Sequence, residues 1–74
     1  MPDWVHARRR QIGDRIRENR RARHYSQMQL GERIGRDHKT ISRWENAVTV
    51  FTIEDLILLA HALDVPLMRL VDVE

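Results

Sequence analysis

The sequence predicts an all-α fold, a compact domain of five helices. Apolar residues recur at helical spacings along the chain, whereas the strict alternation of apolar and polar residues that marks strands is absent. The 74 residues include only three Gly and two Pro, and 42% are apolar, which indicates a folded helical chain rather than a disordered one. A chain of this length supports one domain with one small core.

The first helix is predicted over about residues 3–23. Val5, Ile12 and Ile16 are separated by seven and four residues, so they form one apolar stripe along a helix. Eight Arg residues cover much of the remaining surface. Gly13 is a poor helix former, and the helix therefore has a candidate break near this position.

The second helix begins at Ser26. Gln29 follows three residues later, which is the spacing of a capping box, where each side chain bonds the backbone N–H of the other residue. Leu30 and Ile34 lie four residues apart and share one face. Gly35 suits the left-handed backbone conformation that commonly ends a helix.

The third helix begins at Asp37, whose carboxylate can accept hydrogen bonds from the free backbone N–H groups of the first turn. It continues to about Asn46. Only residues 35–37 separate it from the second helix. Two short helices joined by a three-residue turn that contains Gly form a helix-turn-helix.

The third helix has two distinct faces. Ile41 and Trp44 lie on the side that packs, edged by Thr40 and Glu45. The other side is an arc of about 140° that holds polar residues: His38, Lys39, Ser42, Arg43 and Asn46. This outward face carries hydrogen-bond donors and no carboxylate. Its chemistry suits the DNA major groove, where Lys and Arg donate to guanine N7 and O6 or to phosphates; the alternative is a polar face that contacts only water.

The last two helices follow a connection over residues 47–51. Thr52 is a candidate N-cap for the fourth helix, with Asp55 three residues later. The fourth helix has an apolar stripe that is predicted to face the core: Ile53, Leu56, Leu59, Ala60 and Leu63. Pro66 suits the first position of a short fifth helix. That helix carries three apolar residues: Leu67, Leu70 and Val71.

Charge is distributed unevenly along the chain. Residues 1–46 hold 12 Lys and Arg against six Asp and Glu, a net charge of +6, whereas residues 47–74 hold one Arg against five acidic residues, a net charge of −4. This asymmetry indicates a polyanionic partner for the first part. The strongest basic run, "HARRRQ", suits contacts with flanking phosphates or a minor groove; the alternative is a basic helix surface that is only solvated.

Three stretches of the chain carry a family resemblance: "IRENRRARHYSQMQLGERIG", "HKTISRWEN" and "TIEDLILLAHALDVPLMRL". Over residues 12–71 the sequence resembles the phage-repressor/Cro-like helix-turn-helix family, also called the xenobiotic-response-element (XRE) type. The resemblance implies a lambda-repressor-like five-helix domain over residues 12–74, preceded by residues 1–11 as a basic N-terminal extension of the first helix. It also implies sequence-specific binding of double-stranded DNA through a recognition helix at about residues 38–46, usually as a homodimer, for repressor-like control of transcription.

The resemblance also assigns roles to individual residues. It implies that His38 and Lys39, at the start of the recognition helix, read bases. It implies that Gln27 binds phosphate and braces that helix, and that Arg20 and Glu45 form a structural ion pair. Together with the outward face, these roles define a predicted DNA-binding set: Gln27, Arg36, His38, Lys39, Thr40, Ser42, Arg43 and Asn46.

The sequence departs from the family pattern at four positions. Asn19 occupies a site where the family prefers an apolar residue. His24 and Ala47 occupy sites that are commonly Gly, and Phe51 replaces a common Pro. The last two changes leave the conformation of the 47–51 connection open.

Apolar residues in and after this connection exceed what the core of the fourth helix needs. We expect a two-fold homodimer through this surface: Val48, Val50, Phe51, Ile57 and Leu58. Its recognition helices would lie about 34 Å apart, which places them in successive major grooves. The alternative is a monomer in which Phe51 folds onto the core. Near the N-terminus, Trp4 and Val5 are expected to pack on the core, with dimerisation as the alternative.

Other classes of function find little support. The four His residues show no metal-ligand spacing and there is no Cys, so neither a metal site nor a cofactor is expected. The sequence has no nucleophile–base constellation or Gly-rich phosphate loop, and an enzyme is therefore not expected. The longest apolar run, residues 56–60, is too short to span a membrane, and without a signal peptide the expected location is cytoplasmic, of the bacterial or phage type and nucleoid-associated. The remaining alternative is a protein-interaction module, an antitoxin or adaptor, with the same fold.

Overall fold

The computed structural model describes residues 2–72, and within this range the chain forms five α-helices and no strand. In chain order they are α1 Asp3–Ala22, α2 Gln27–Ile34, α3 His38–Glu45, α4 Ile53–Leu63 and α5 Leu67–Val71. The predicted all-α class and the five predicted helices are therefore confirmed. The helix-turn-helix consists of α2 and α3 with residues 35–37 between them.

The core is built from one apolar stripe of each helix. Its most deeply buried apolar side chains are Ile16, Leu30, Ile41, Leu59, Leu63 and Leu70. Because every helix contributes to one cluster, the position of the short α3 depends on the whole core rather than on its own helix propensity. The predicted core position of Ile53 is wrong, since this residue is 54% exposed and the stripe of α4 meets the core only from Leu56 onward.

The first helix runs unbroken through Gly13, so the candidate break does not occur. A Cβ built at Gly13 would lie 2.7 Å from the carbonyl oxygens of both Trp44 and Glu45. The absence of a side chain therefore allows α1 to cross the C-terminal end of α3 at backbone distance. Gly13 has a packing role that outweighs its low helix propensity.

Two capping boxes begin α2 and α4, as the sequence predicts. The Ser26 hydroxyl accepts from the Gln29 N–H at 3.0 Å, and the Gln29 side chain accepts from the Ser26 N–H at 2.8 Å. Thr52 and Asp55 form the same reciprocal pair, at 3.1 and 2.8 Å. Gly35 ends α2 with a φ of 72°, in the left-handed region that favours Gly.

Two departures from the family pattern keep the backbone conformation that Gly would favour. His24 has a φ of 60° and Ala47 a φ of 56°, both in the left-handed region. Residues with a Cβ adopt this region at a cost of about 1–2 kcal/mol. The turns after α1 and α3 therefore retain their shape although the residue has changed, and the 47–51 connection has a defined conformation.

The predicted packing of Trp4 on the core is wrong. Its side chain is 66% exposed, while Val5 is half-buried. The first turns of α1 reach beyond the core, because the 20-residue helix is longer than the helices it packs against. The N-terminal part of α1 is nevertheless attached to the domain, since Arg9 donates to the carbonyl oxygen of Ala47 at 3.2 Å.

Candidate nucleic-acid interface

The two faces of α3 are separated as the helical wheel indicates. Ile41 is fully buried and Trp44 is 4% exposed, so they anchor the helix in the core. Lys39 and Arg43 are exposed on the opposite side. His38 and Asn46 are exposed as well, and Ser42 is half-buried. The structure therefore brings the predicted base-reading side chains together on one solvent-facing surface.

The start of α3 is held by a side-chain cap. One carboxylate oxygen of Asp37 accepts from the Thr40 N–H at 2.9 Å and from the Thr40 hydroxyl at 2.8 Å. The backbone hydrogen bond from Thr40, followed by its side-chain hydrogen bond, lowers the pKa of the Asp37 carboxyl. Thr40 belongs to the predicted DNA-binding set, and its hydroxyl hydrogen is used within the protein.

A buried carboxylate joins the recognition helix to the two preceding helices. Glu45 is 1% exposed and accepts from Arg20 through two nitrogens, Nε at 2.6 Å and a terminal nitrogen at 3.1 Å. Gln27, at the start of α2, donates its side-chain N–H to the same carboxylate at 3.2 Å. Arg20 also donates to the carbonyl oxygen of Tyr25 at 2.8 Å. Because this network is largely desolvated, it fixes the orientation of α3 against α1 and α2.

Arg17 is a member of this site that the sequence analysis missed. Its guanidinium donates to the side-chain oxygen of Asn46 at 2.8 Å and to the carbonyl oxygen of Glu45 at 3.2 Å. Asn46 in turn donates to the carbonyl oxygen of Ser42 at 2.9 Å. Arg17 precedes Arg20 by three residues on α1, and this spacing is the one signal in the sequence that places both near the end of α3.

Arg36, another predicted DNA contact, pairs with α4 in the structure. Its guanidinium lies 3.4 Å from the carboxylate of Asp55. Asp55 is 8% exposed, and its side chain also caps α4. The structure thus gives Arg36 a protein partner, whereas Lys39 and Arg43 have no ion-pair partner among the described residues.

The predicted dimer surface divides into two parts. Four of its five residues are exposed: Val48, Val50, Ile57 and Leu58. Phe51 is half-buried and packs against the core. This is the position that the monomer alternative predicts for Phe51. Ile53 is also exposed in this region of the chain and was not in the predicted set.

The described part of the chain has few features of other functional classes. Within residues 2–72, no group of three or more His, Cys, Asp or Glu side chains is placed to hold a metal ion. None of the five helices combines the length and the apolar character that a membrane crossing requires.

An exposed row of donors on the second helix of a helix-turn-helix is typical of DNA-binding domains. Comparison with known families agrees, because a helix-turn-helix family model matches residues 16–70. The chain belongs to this family, the Cro/C1-type or XRE family of DNA-binding regulators. Searches of curated proteins and of solved structures found no match to the chain.

Proposed function

We propose that this protein is a sequence-specific, repressor-like transcriptional regulator that inserts α3 into the DNA major groove. The observation that carries this proposal is the exposed face of α3, where His38, Lys39 and Arg43 project from a helix anchored by Ile41 and Trp44. The negative charge of Glu45 lies on the opposite side and is paired with an arginine.

Base recognition is assigned to the side chains without structural partners. Lys39 and Arg43 donate to guanine N7 and O6, and Arg43 has the fork geometry for a bidentate contact. His38, at the first position of α3, has in its neutral imidazole one ring nitrogen that donates and one that accepts. Residues near the start of a recognition helix are those that reach base edges in this type of motif.

Phosphate contact at the start of α2 is assigned to Gln27. Its side-chain nitrogen has two hydrogens, and one of them is donated to Glu45 at 3.2 Å. The second hydrogen is available for a phosphate oxygen. One side chain therefore joins the DNA backbone to the network that orients α3, so that phosphate binding and groove insertion occur in one fixed register.

We assign the exposed apolar surface to a two-fold homodimer. Val48 and Val50 are 68% and 71% exposed in the connection after α3, and Ile57 and Leu58 are 52% and 39% exposed on α4. A second copy that covers this surface would bury these side chains and set the two recognition helices about 34 Å apart. Sedimentation equilibrium checks this proposal, and a monomer at high micromolar concentration would contradict it.

The DNA-binding proposal is tested by selecting bound fragments from random duplex DNA and measuring affinity for the selected sequence. Lys39→Ala and Arg43→Ala should each weaken specific binding by about 1–3 kcal/mol per lost base contact and relax sequence preference. Arg69→Ala is the matched control, since it removes one positive charge from an exposed position on α5. Unchanged affinity and preference in both α3 variants would refute the assignment of these residues.

A second candidate function is a protein-interaction module, an antitoxin or adaptor. It is favoured by the exposed apolar residues of the connection and α4 and by the net charge of −4 over residues 47–74. Salt dependence separates the two functions, because phosphate neutralisation makes log affinity fall steeply with log salt concentration. A protein partner bound through apolar contacts would show a much shallower dependence.

A further inference from the structure

A polar cavity of about 120 Å³ lies between α1 and the C-terminal end of α3. It is lined by Arg10, Asp14, Arg17, Glu45 and Asn46. We propose that this cavity is a phosphate-binding site for the DNA backbone, in which Arg10 and Arg17 are the donors. The proposal rests on the proposed DNA-binding function and extends the interface to Arg10, which precedes the family match at residues 16–70.

One cation at the cavity, Arg10, has no ion-pair partner within residues 2–72. The two carboxylates of the cavity are both paired: Glu45 with Arg20 at 2.6 Å and with Arg17 at 3.5 Å, and Asp14 with Arg17 at 3.4 Å. The Arg10 side chain is exposed. The charge of Arg10 is therefore not compensated by the carboxylates of the cavity, which favours an anion, and phosphate is an anion whose geometry Arg matches.

The cavity is continuous with the groove-facing side of α3. Asn46 lies on the same arc as Lys39 and Arg43, and its side-chain oxygen accepts from Arg17 at 2.8 Å. The eight residues of α3 make a rod about 12 Å long, which is similar to the roughly 12 Å width of the major groove. When this face lies in the groove, the end of α3 reaches one wall of the groove, where a phosphate strand runs beside the cavity.

The site is preformed, because α1 is held against the end of α3. Arg9 precedes Arg10 in the chain and donates to the carbonyl oxygen of Ala47 at 3.2 Å. Gly13 lets the two backbones approach. Binding of a phosphate therefore needs no rearrangement of α1, and the ordering of the Arg10 side chain is the main entropic cost.

Four arginines of α1 lie on two different flanks of the helix. Arg10 and Arg17 are seven residues apart and therefore share the flank that borders the end of α3. Arg8 and Arg15 are also seven residues apart, on the other flank, where Arg15 donates to the carbonyl oxygen of Asp72 after α5. The proposal predicts that only the first pair contributes to DNA binding.

The test compares Arg10→Ala with Arg8→Ala, a control that removes the same charge from the other flank of the same helix. Binding of the full chain to a short duplex of mixed sequence is measured over a series of salt concentrations. Loss of one phosphate contact should lower the slope of log affinity against log salt by about 0.9. A fourfold rise in salt would then weaken the Arg10→Ala variant about three- to fourfold less than the parent. Arg8→Ala should keep the slope of the parent.

Two further measurements separate the site from a structural effect. Thermal unfolding of Arg10→Ala should match the parent, because the side chain is exposed and unpaired within the described residues. Asp14→Asn should bind the duplex more tightly, since it removes a carboxylate from the rim of the cavity. Equal salt slopes for the parent and Arg10→Ala, or an equal decrease of the slope in Arg10→Ala and Arg8→Ala, would refute the phosphate site without refuting the DNA-binding function. A parent that binds no duplex DNA would refute both.

Discussion

Replacing Gly13 by Ala should destabilise this protein, although the same change in an exposed helix is stabilising. The built Cβ lies 2.7 Å from two backbone carbonyl oxygens, and ordinary contact begins at 3.4 Å, so α1 and α3 must separate by about 0.7 Å. The obstacle is backbone at the C-terminal end of α3 and not a flexible side chain. Overpacking of this kind costs about 1–3 kcal/mol, which exceeds the gain of about 0.5–1 kcal/mol in helix propensity.

The separation would also affect the candidate interface. Arg17 donates to the carbonyl oxygen of Glu45 at 3.2 Å, and this oxygen is one of the two that the new methyl group would displace. We therefore expect weaker DNA binding together with a net loss of about 1–2 kcal/mol in the free energy of unfolding. For a domain of this size, such a loss lowers the melting temperature by about 4–16 °C.

Thermal and urea unfolding measure the effect, and Ala7→Gly is the matched control. Ala7 is exposed on the same helix, so its replacement reports propensity alone and should cost about 0.5–1 kcal/mol. The two substitutions are chemical opposites, yet both should destabilise the fold. A Gly13→Ala variant as stable as the parent, or more stable, would refute the close approach of α1 and α3.

Three further predictions concern the network, a turn and the cap of α3. Glu45→Gln leaves the buried charge of Arg20 without its partner and should lower the free energy of unfolding by about 3–5 kcal/mol, measured in urea; a loss below 1 kcal/mol would show that the pair is solvated. His24→Gly relieves a left-handed backbone at an exposed position and should stabilise the fold by about 0.5–1 kcal/mol, whereas His24→Ala, which keeps the Cβ, should give no gain; equal effects would argue against backbone strain. Because the pKa of Asp37 is lowered in the folded protein, the ionised side chain stabilises the fold at pH values above the ordinary pKa of a carboxyl group. This stabilisation is lost as the pH falls through the lowered pKa. The stability difference between the parent and Asp37→Asn should therefore shrink on acidification, and a difference that grows in acid would contradict the cap.

The helices and their caps were predictable because they depend on residues close together in the chain. Ser26 and Gln29 are three residues apart, and so are the capping partners of α4, so each start signal is local. The continuity of α1 at Gly13 was not predictable, because its cause is the backbone of α3 about thirty residues away. The exposure of Trp4 escaped prediction for a related reason, since periodicity gives a face but not how far the core extends along it.

The candidate site was predictable in outline and not in its hydrogen bonds. The wheel separates inward from outward residues of α3, and this depends only on helix geometry. The partners of Asn46 and Arg36 depend instead on which donor or acceptor is supplied by a helix that is distant in the chain. Arg17 escaped prediction although it lies three residues before Arg20, because Arg23 lies three residues after Arg20 and spacing alone does not distinguish the two.

The residues of α3 that anchor the helix are different from those that face solvent, and this separation affects how operator preference can change over evolution. His38, Lys39 and Arg43 have no ion-pair partners in the described part of the chain, whereas Ile41, Trp44 and the buried carboxylate fix where the helix sits. If these three side chains read the bases as proposed, new target sequences are accessible by exchanging them, without loss of melting temperature. Paralogues that have diverged in DNA preference would then differ at these positions while sharing the anchors.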